Sequence, residues 1–291
     1  MIISIFNQKG GVGKTTSVVN LAVALKRLDK KVLVIDMDPQ ANTTTGLGVD
    51  KYEGKSVYDL FYEVDNNFTN QENPDELGDK IEEQEDTEEK KEDVTEEKKD
   101  EVDLGEKIKD YITETESGVD LIKSESSLSG LEVELVSLDP IERCKVLKKI
   151  VEKITSVYDF IFIDCPPSLG LLSINALVAS DSIIIPIQTE YYALEGVSEL
   201  MKTYDLVKES LNTNLEIEGV LLTMFDKGVS LSYEVVEEVK AYFKGQVFKT
   251  MIPRNVRLAE APSYGKSVIE YEENSKGARA YKMLAQEIID R

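Results

Sequence analysis

MIISIFNQKGGVGKTT, residues 1–16, begins with a short run of apolar and β-branched residues and ends in a glycine-rich loop with a lysine and two threonines. From Thr15 to Leu28, apolar residues such as Val18, Leu21 and Leu25 recur at helical spacing. A strand, a glycine-rich loop and a helix in this order are typical of a phosphate-binding loop, because backbone N–H groups then face an anion at the start of the helix. The sequence therefore predicts a strand at residues 2–6, a helix at residues 15–28 and an anion site between them.

Apolar runs and helical patterns alternate through the rest of the chain. Residues 32–35 form a second apolar run that ends in Asp36, and further runs lie at residues 160–163, 183–185 and 220–222. Helical patterns at residues 193–211 and 232–243 separate the later runs. Continuous apolar strands suit a parallel sheet that is covered on both faces. We therefore predict an α/β fold over residues 1–291: a single domain with one doubly wound, mostly parallel sheet of P-loop NTPase type and helices on both faces.

Composition excludes several kinds of chemistry. The chain has 291 residues, 41% of them hydrophobic, and no run approaches the ~18 apolar residues of a membrane span. Histidine is absent, so imidazole bases, Ser/His triads and His-ligated zinc are excluded. Cys144 and Cys165 lie far apart and are interpreted as reduced thiols. No basic leader precedes the first strand, which favours a cytoplasmic protein.

Acidic residues are concentrated in one segment. The formal net charge is −22, and residues 79–107 alone contain 15 acidic and 6 basic residues. Residues 66–107 are Glu/Lys-rich and poor in apolar residues, so they cannot bury enough apolar surface to offset the entropy of ordering. We interpret them as an acidic insertion, disordered or loosely helical, that is a solvated loop extension or an arm for a partner.

The glycine-rich loop supplies the chemistry of an ATP site. Gly10, Gly11 and Gly13 allow a tight turn that directs N–H groups at phosphate oxygens. Lys14 supplies the charge that bridges the β- and γ-phosphates, and the Thr15 hydroxyl is a ligand for Mg²⁺. In the usual P-loop pattern a glycine would stand at position 8, where this chain has glutamine.

Three carboxylates are predicted near those phosphates. Asp36 and Asp38 leave the second strand on the same side of the chain, at the C-terminal edge of the sheet. Asp164 ends the apolar run at residues 160–163, which is the position of a Walker B carboxylate. We expect Asp164 to hold Mg²⁺ through a water molecule.

Lys9 distinguishes this loop from an ordinary one. Lys9-Gly-Gly-Val-Gly-Lys-Thr-Thr16 closely resembles the deviant Walker A motif of the ParA/MinD family of dimerising ATPases. Matching stretches at residues 164–172, 190–196 and 252–262 resemble the Soj-type branch, over nearly the whole chain except the acidic insertion. The resemblance implies an ATP-sandwich homodimer in which Lys9 reaches the partner's nucleotide as a fixed cation.

The same resemblance implies roles for the remaining site residues. Asp38 would position the attacking water, Asp36 would support Mg²⁺ from a second layer, and Pro253 and Asn255 would pack on adenine. Catalytic roles thus fall to Lys9, Lys14 and Asp38, and metal binding falls to Thr15, Asp164 and Asp36. The full set expected at the nucleotide is Lys9, Gly10, Gly11, Val12, Gly13, Lys14, Thr15, Thr16, Pro253 and Asn255.

In function, the resemblance implies a slow Mg²⁺-dependent ATP hydrolase that acts as a switch in chromosome or plasmid partitioning. Its ATP-bound dimer would bind duplex DNA without sequence preference at the nucleoid, and a ParB/Spo0J-like partner would stimulate hydrolysis. Arg257 matches one arginine that such proteins direct at DNA. The family commonly has another where this chain has Gly228, so Lys227 is a candidate substitute and Lys266 extends the patch.

Two alternatives remain open. One is a regulatory or positioning switch of the same fold that recruits protein cargo without binding DNA, which the acidic balance and Gly228 favour. The other is a nucleotide-stabilised scaffold with negligible turnover. MinD-type membrane attachment is not expected, because residues 280–291 have the apolar spacing of a helix that packs on its own domain.

Overall fold

A computed structural model describes residues 1–64, 104–191 and 196–291, and within them seven strands form one sheet. The strands are β1 (Ile2–Ile5), β2 (Val32–Asp36), β3 (Ile112–Glu114), β4 (Asp120–Ile122), β5 (Phe160–Asp164), β6 (Ser182–Gln188) and β7 (Glu216–Thr223). Their order is β3-β4-β2-β5-β1-β6-β7, and every neighbouring pair is parallel except β3 and β4. The predicted mostly parallel sheet is confirmed.

Helices cover both faces of this sheet. One face carries α3 (Val57–Val64), α4 (Leu104–Lys109), α5 (Leu128–Leu135), α6 (Val146–Glu152), α7 (Leu171–Ala179), α8 (Val197–Ser210) and α9 (Ser230–Phe243). The other carries α1 (Lys14–Lys26), α11 (Val268–Tyr271) and α12 (Lys276–Ile289), with the short helices α2 (Asn42–Gly46) and α10 (Val256–Glu260) beside them. The helices predicted at residues 15–28 and 232–243 are confirmed within two residues at each end.

Strand side chains divide between the two faces because successive residues of a strand point in opposite directions. In β2, Leu33 and Ile35 belong to one apolar cluster, whereas Val32 and Val34 belong to the other. The strands β1, β5, β6 and β7 divide in the same way. The strands in the middle of the sheet are therefore buried on both faces, which explains why most of their residues are apolar.

The strand register brings three loops together. β1 lies between β5 and β6, and β5 lies between β1 and β2. Asp164 stands opposite Ile5 on one side and Asp36 on the other. Because these strands are parallel, the loops that follow them leave the same edge of the sheet, and this edge carries the candidate site.

The antiparallel hairpin β3–β4 is absent from our sequence prediction, because its strands have only three residues each and follow the acidic segment. Residues 66–103 of the acidic segment lie outside the described residues. The helix predicted at residues 193–211 corresponds to α8, which begins at Val197, after the undescribed residues 192–195. The single domain over residues 1–291 stays a prediction, since that range includes undescribed residues.

None of the described helices combines the length and the hydropathy needed to cross a membrane.

Candidate functional site

The glycine-rich loop follows β1 and turns directly into α1, whose first residue is Lys14. Gly11 and Gly13 have φ values of +74° and +93°. This left-handed region is costly for residues with a Cβ atom, so glycine is required at both positions. The loop therefore has the backbone conformation that an anion site at the start of a helix needs.

Lys14 lies across this loop. Its side-chain ammonium donates a hydrogen bond to the Lys9 carbonyl (Nζ to O, 3.0 Å), and the residue is only 7% exposed. Burial lowers the pKa of Lys14, and the nearby carboxylates of Asp164 and Asp38 act in the opposite direction. Lys9 itself is exposed. The two lysines of the motif thus differ. The Lys14 side chain is buried and bonds across the loop, whereas Lys9 is exposed to solvent.

Asp164 is fully buried at the end of β5. Its Oδ2 accepts hydrogen bonds from the hydroxyls of Thr15 (2.7 Å) and Thr43 (2.6 Å). Its Oδ1 has no hydrogen-bond partner among the described residues. Burial raises the pKa of Asp164 to about 6, although both threonine hydrogen bonds act against that rise.

Asp36 lies beside Asp164 in the sheet and is equally buried. Its Oδ2 accepts hydrogen bonds from the backbone N–H (2.9 Å) and the hydroxyl (2.7 Å) of Thr44, and its Oδ1 accepts one from the backbone N–H of Asp38 (3.1 Å). Burial and the charge of Asp164 together raise the pKa of Asp36 to about 8.

This buried pair predicts how stability depends on pH in the nucleotide-free protein. The folded chain holds protons on Asp36 and Asp164 that the unfolded chain releases above its ordinary carboxyl pKa of 3.8. Raising the pH from 6 to 8 should therefore lower the free energy of unfolding, by up to about 1.4 kcal/mol per pH unit for each proton held. No histidine titrates in this range, because the chain has none.

Urea titrations across this pH range would measure the effect. Asp36→Asn is the matched control, since it places an uncharged group of the same shape at the buried position. Its stability should change less with pH than that of the wild type, and an equal pH dependence in both proteins would contradict the assignment.

Asp38 is the most accessible of the three carboxylates, although it is only 7% exposed. One carboxylate oxygen accepts a hydrogen bond from the backbone N–H of Gln40 (3.0 Å), and its carbonyl oxygen accepts one from the Ser124 hydroxyl (2.8 Å). These contacts hold the segment after β2 against the segment after β4. Asp38 therefore has a fixed orientation near Lys14 and Asp164, whose pKa values its charge influences.

The residues present fit a magnesium ion that is bound together with phosphate. Within the described ranges, no group of three or more carboxylate, cysteine or histidine side chains could hold a metal alone. Mg²⁺ usually keeps several waters and takes one or two carboxylates plus substrate phosphates. The unpartnered Oδ1 of Asp164 and the Thr15 hydroxyl bonded to that same carboxylate match such a donor set.

A cavity of about 340 Å³ opens beside the loop. Gly13 and Thr16 from the loop and α1 line it, together with Pro253 and Asn255 from the segment before α10. Asn255 is held in place as the N-cap of α10, because its side chain accepts a hydrogen bond from the backbone N–H of Arg257 (2.8 Å). The lining is Gly13, Thr16, Thr223, Met224, Ile252, Pro253, Arg254, Asn255, Val256, Leu258, Ala259 and Tyr281. A mostly apolar cavity with a few polar groups, next to a phosphate loop, suits a flat heterocyclic base.

Comparisons with known proteins agree on one family. The sequence profile of the AAA domain family matches residues 1–217. The sporulation initiation inhibitor protein Soj of Bacillus subtilis strain 168 is 46% identical over 288 residues, which are 99% of this chain and 97% of that protein. The chromosome partitioning protein ParA of Myxococcus xanthus strain DK1622 is 42% identical, with 100% of this chain and 88% of that protein covered. The chain belongs to the ParA/Soj family.

The fold of this ParA/Soj-family protein is also that of solved structures. Cobyrinic acid a,c-diamide synthase from Mycobacterium smegmatis, crystallised with bound ADP and magnesium, superimposes with a TM-score of 0.73 at 27% sequence identity. The similarity covers 98% of this chain and 92% of that one. The family and fold inferred from the loop sequence are therefore both confirmed.

The residues that the family resemblance suggested for DNA lie on separate exposed segments. Arg257 is on α10, where its guanidinium forms an ion pair with Glu260 (Nη1 to Oε2, 2.6 Å). Lys227 lies in the loop after β7, and Lys266 lies just before α11. The role of these three residues at DNA stays a prediction.

Several residues of the site were missed by sequence reasoning. Thr43 and Thr44 bind the two buried carboxylates, and the run Asn42-Thr-Thr-Thr45 directly after the Asp36 motif was a local signal for them. Tyr281 of α12 lines the cavity and shares a hydrogen bond with the Ser17 hydroxyl (3.1 Å). No local signal pointed to Tyr281, because 264 residues separate it from its partner.

Proposed function

We propose that this protein is a dimerising Mg²⁺-ATPase that acts as a nucleotide switch in chromosome or plasmid partitioning. The observation that carries the proposal is the convergence of Lys14, Thr15, Asp38 and Asp164 at one edge of the sheet, beside a cavity of about 340 Å³ that has room for a base. The sequence identity of this chain to Soj and ParA proteins, over 99–100% of its length, supports the partitioning role. ATP and Mg²⁺ are the proposed cofactors.

The chain's own residues then have distinct tasks. Lys14 neutralises charge on the β- and γ-phosphates, and the N–H groups of residues 10–16 bind the phosphate oxygens. Thr15 and Asp164 would hold Mg²⁺, with Asp36 behind them, and the bound ion would supply positive charge at the phosphates. Asp38 orients the attacking water, and Pro253 and Asn255 bind adenine. Lys9, which is exposed, acts on the partner subunit's nucleotide in an ATP-sandwich homodimer.

The proposed partners follow from the switch. The ATP-bound dimer binds duplex DNA without sequence preference, and a ParB/Spo0J-like protein stimulates hydrolysis and so releases it. Turnover without that partner is slow. The protein is then cytoplasmic, and it is associated with the nucleoid while it holds ATP. Arg257, Lys227 and Lys266 are the proposed DNA contacts.

Retention on unrelated duplex DNA tests the DNA-binding part of the proposal. With a non-hydrolysable ATP analogue, the full-length protein should be retained, and with ADP it should not. Retention should fall steeply with salt, because phosphate contacts release counterions. Combined Arg257→Ala, Lys227→Ala and Lys266→Ala substitutions should weaken retention and reduce its dependence on salt.

A second candidate function is a same-fold switch that recruits protein cargo and does not bind DNA. Two observations favour it: Arg257 is already paired with Glu260, and Gly228 supplies no charge in the loop after β7. The net charge of −22 also opposes binding to a polyanion. ATP-dependent dimerisation without any retention on DNA would select this second candidate.

A further inference from the structure

Two side chains donate hydrogen bonds to backbone carbonyls of the phosphate loop. Gln188 is the last residue of β6, and its side-chain amide donates a hydrogen bond to the Gly11 carbonyl (Nε2 to O, 2.7 Å). Thr223 is the last residue of β7, and its hydroxyl donates one to the Val12 carbonyl (Oγ1 to O, 2.8 Å). In the sheet, β6 and β7 lie on the opposite side of β1 from β5. These two hydrogen bonds therefore contact the loop on the side away from Asp36 and Asp164.

Each bond fixes the direction of an N–H group as well as a carbonyl. A trans peptide is planar, and its C=O and the N–H of the next residue point in opposite directions. All described peptide bonds of this chain are trans. The Gln188 bond therefore directs the Val12 N–H away from the end of β6, and the Thr223 bond directs the Gly13 N–H away from the end of β7. These N–H groups belong to the loop that binds phosphate in the proposed function.

The two branches of the Thr223 side chain have separate contacts. The hydroxyl binds the Val12 carbonyl, whereas the methyl carbon lies 3.6 Å from the position that a Cβ atom on Gly13 would occupy. Thr223 is only 2% exposed, so water does not replace its hydroxyl easily. The hydroxyl and the methyl can thus be removed one at a time.

Gln188 also connects the loop to the base cavity. Its Nε2 lies 3.1 Å from the sulfur of Met224, which lines that cavity. Met224 has a φ of +53°, a left-handed conformation that is uncommon for a residue with a side chain. Phosphate loop, Gln188 and cavity wall are therefore in continuous contact.

We propose that Gln188 and Thr223 are positioning residues, which orient the Val12 and Gly13 N–H groups toward the phosphates of the nucleotide. This inference rests on the proposed nucleotide binding and adds two residues that act through the loop carbonyls, one of which, Thr223, also lines the base cavity. Without their hydrogen bonds, the two peptide units rotate and the N–H groups lose their common direction. Phosphate affinity then falls, even though every residue of the loop is still present.

Paired substitutions at Thr223 test this directly by calorimetry with Mg²⁺ and ADP. Thr223→Val keeps the shape and removes the hydroxyl, and should weaken ADP binding about tenfold. Thr223→Ser keeps the hydroxyl and removes the methyl, and should bind ADP within about twofold of the wild type. The opposite pattern would show that the Thr223 methyl group matters and the hydroxyl does not, and it would overturn the proposal. Equal affinity, or equal loss, in the two variants would overturn it as well.

Gln188→Leu tests the second residue in the same assay. It removes the donor to Gly11 and should also weaken ADP binding about tenfold. Gln286→Leu is the matched control, because Gln286 is exposed on α12 and, among the described residues, its side-chain amide bonds with Asp290 directly after the same helix. Unchanged affinity in Gln188→Leu would remove this residue from the proposal. Absence of ADP binding by the wild type would instead refute the proposed function itself.

Discussion

Lys14→Ala is expected to weaken ATP binding by at least about 100-fold, because it removes the cation that lies across the phosphate loop. Lys14 is 7% exposed and donates a hydrogen bond to the Lys9 carbonyl. Its positive charge also interacts favourably with the carboxylates of Asp164 and Asp38. Removing it leaves those negative charges uncompensated at the place where the phosphates bind. Calorimetry with ATP and Mg²⁺ measures the loss.

The control for this experiment is Lys240→Ala. Lys240 lies on the exposed side of α9 and pairs only with Glu237 of the same helix among its described contacts (3.1 Å), so its removal should leave ATP affinity unchanged. Circular dichroism should show both variants folded. Undiminished ATP affinity in Lys14→Ala would contradict the assignment of the phosphate site.

The sequence predicted the parts of this site that are encoded locally. Lys14 and Thr15 lie within one loop, and Asp36 and Asp164 each end an uninterrupted apolar run. Parallel strands place their C-terminal ends at one edge of the sheet. The pattern of apolar runs was therefore enough to predict that Asp36 and Asp164, which are 128 residues apart, lie at the same edge. Strand order was still needed to make Asp36 and Asp164 neighbours, and the structure supplies it.

The parts that sequence reasoning missed are contacts between distant segments. Gln188 reaches the loop across 177 residues and Thr223 across 211. Each ends a strand, as Asp164 does, but neither is charged, and uncharged polar residues at strand ends are common. Thr223 directly follows the predicted apolar run at residues 220–222, whereas the run predicted at residues 183–185 ends three residues before Gln188. The bond to a particular carbonyl also depends on which strands flank β1. Tyr281 depends in the same way on α12 packing against α1.

The buried carboxylates connect stability to function. Among the described residues, no cation donates a hydrogen bond to Asp36 or Asp164. Four of their five hydrogen bonds come from Thr15, Thr43 and Thr44, and the fifth comes from the backbone N–H of Asp38. Burying two neighbouring carboxylates costs free energy unless a proton or a cation accompanies them. In the nucleotide-free protein, protons on both groups meet this need below about pH 6, and a proton on Asp36 meets it up to about pH 8. A bound cation would meet it in the proposed ATP state.

Asp38→Ala is expected to retain ATP and to lose hydrolysis by about 100-fold or more, since it removes the group proposed to orient the attacking water. The carboxylate lies near Lys14 and Asp164 but shares no hydrogen bond with either among the described contacts. ATP affinity should therefore change little. Because hydrolysis ends the ATP state, the variant should remain a dimer with ATP for longer than the wild type. Phosphate release and sedimentation measure the two effects.

Asp38→Asn separates charge from local structure. The Asp38 side chain accepts a hydrogen bond from the backbone N–H of Gln40, and asparagine retains an oxygen at that position. If Asp38 acts through its charge on water, Asp38→Asn should lose hydrolysis as severely as Asp38→Ala. Wild-type turnover in Asp38→Asn would mean that the residue only shapes the segment after β2. A variant that binds ATP yet stays monomeric would show instead that Asp38 is needed to assemble the dimer, and the water-orienting role would be wrong.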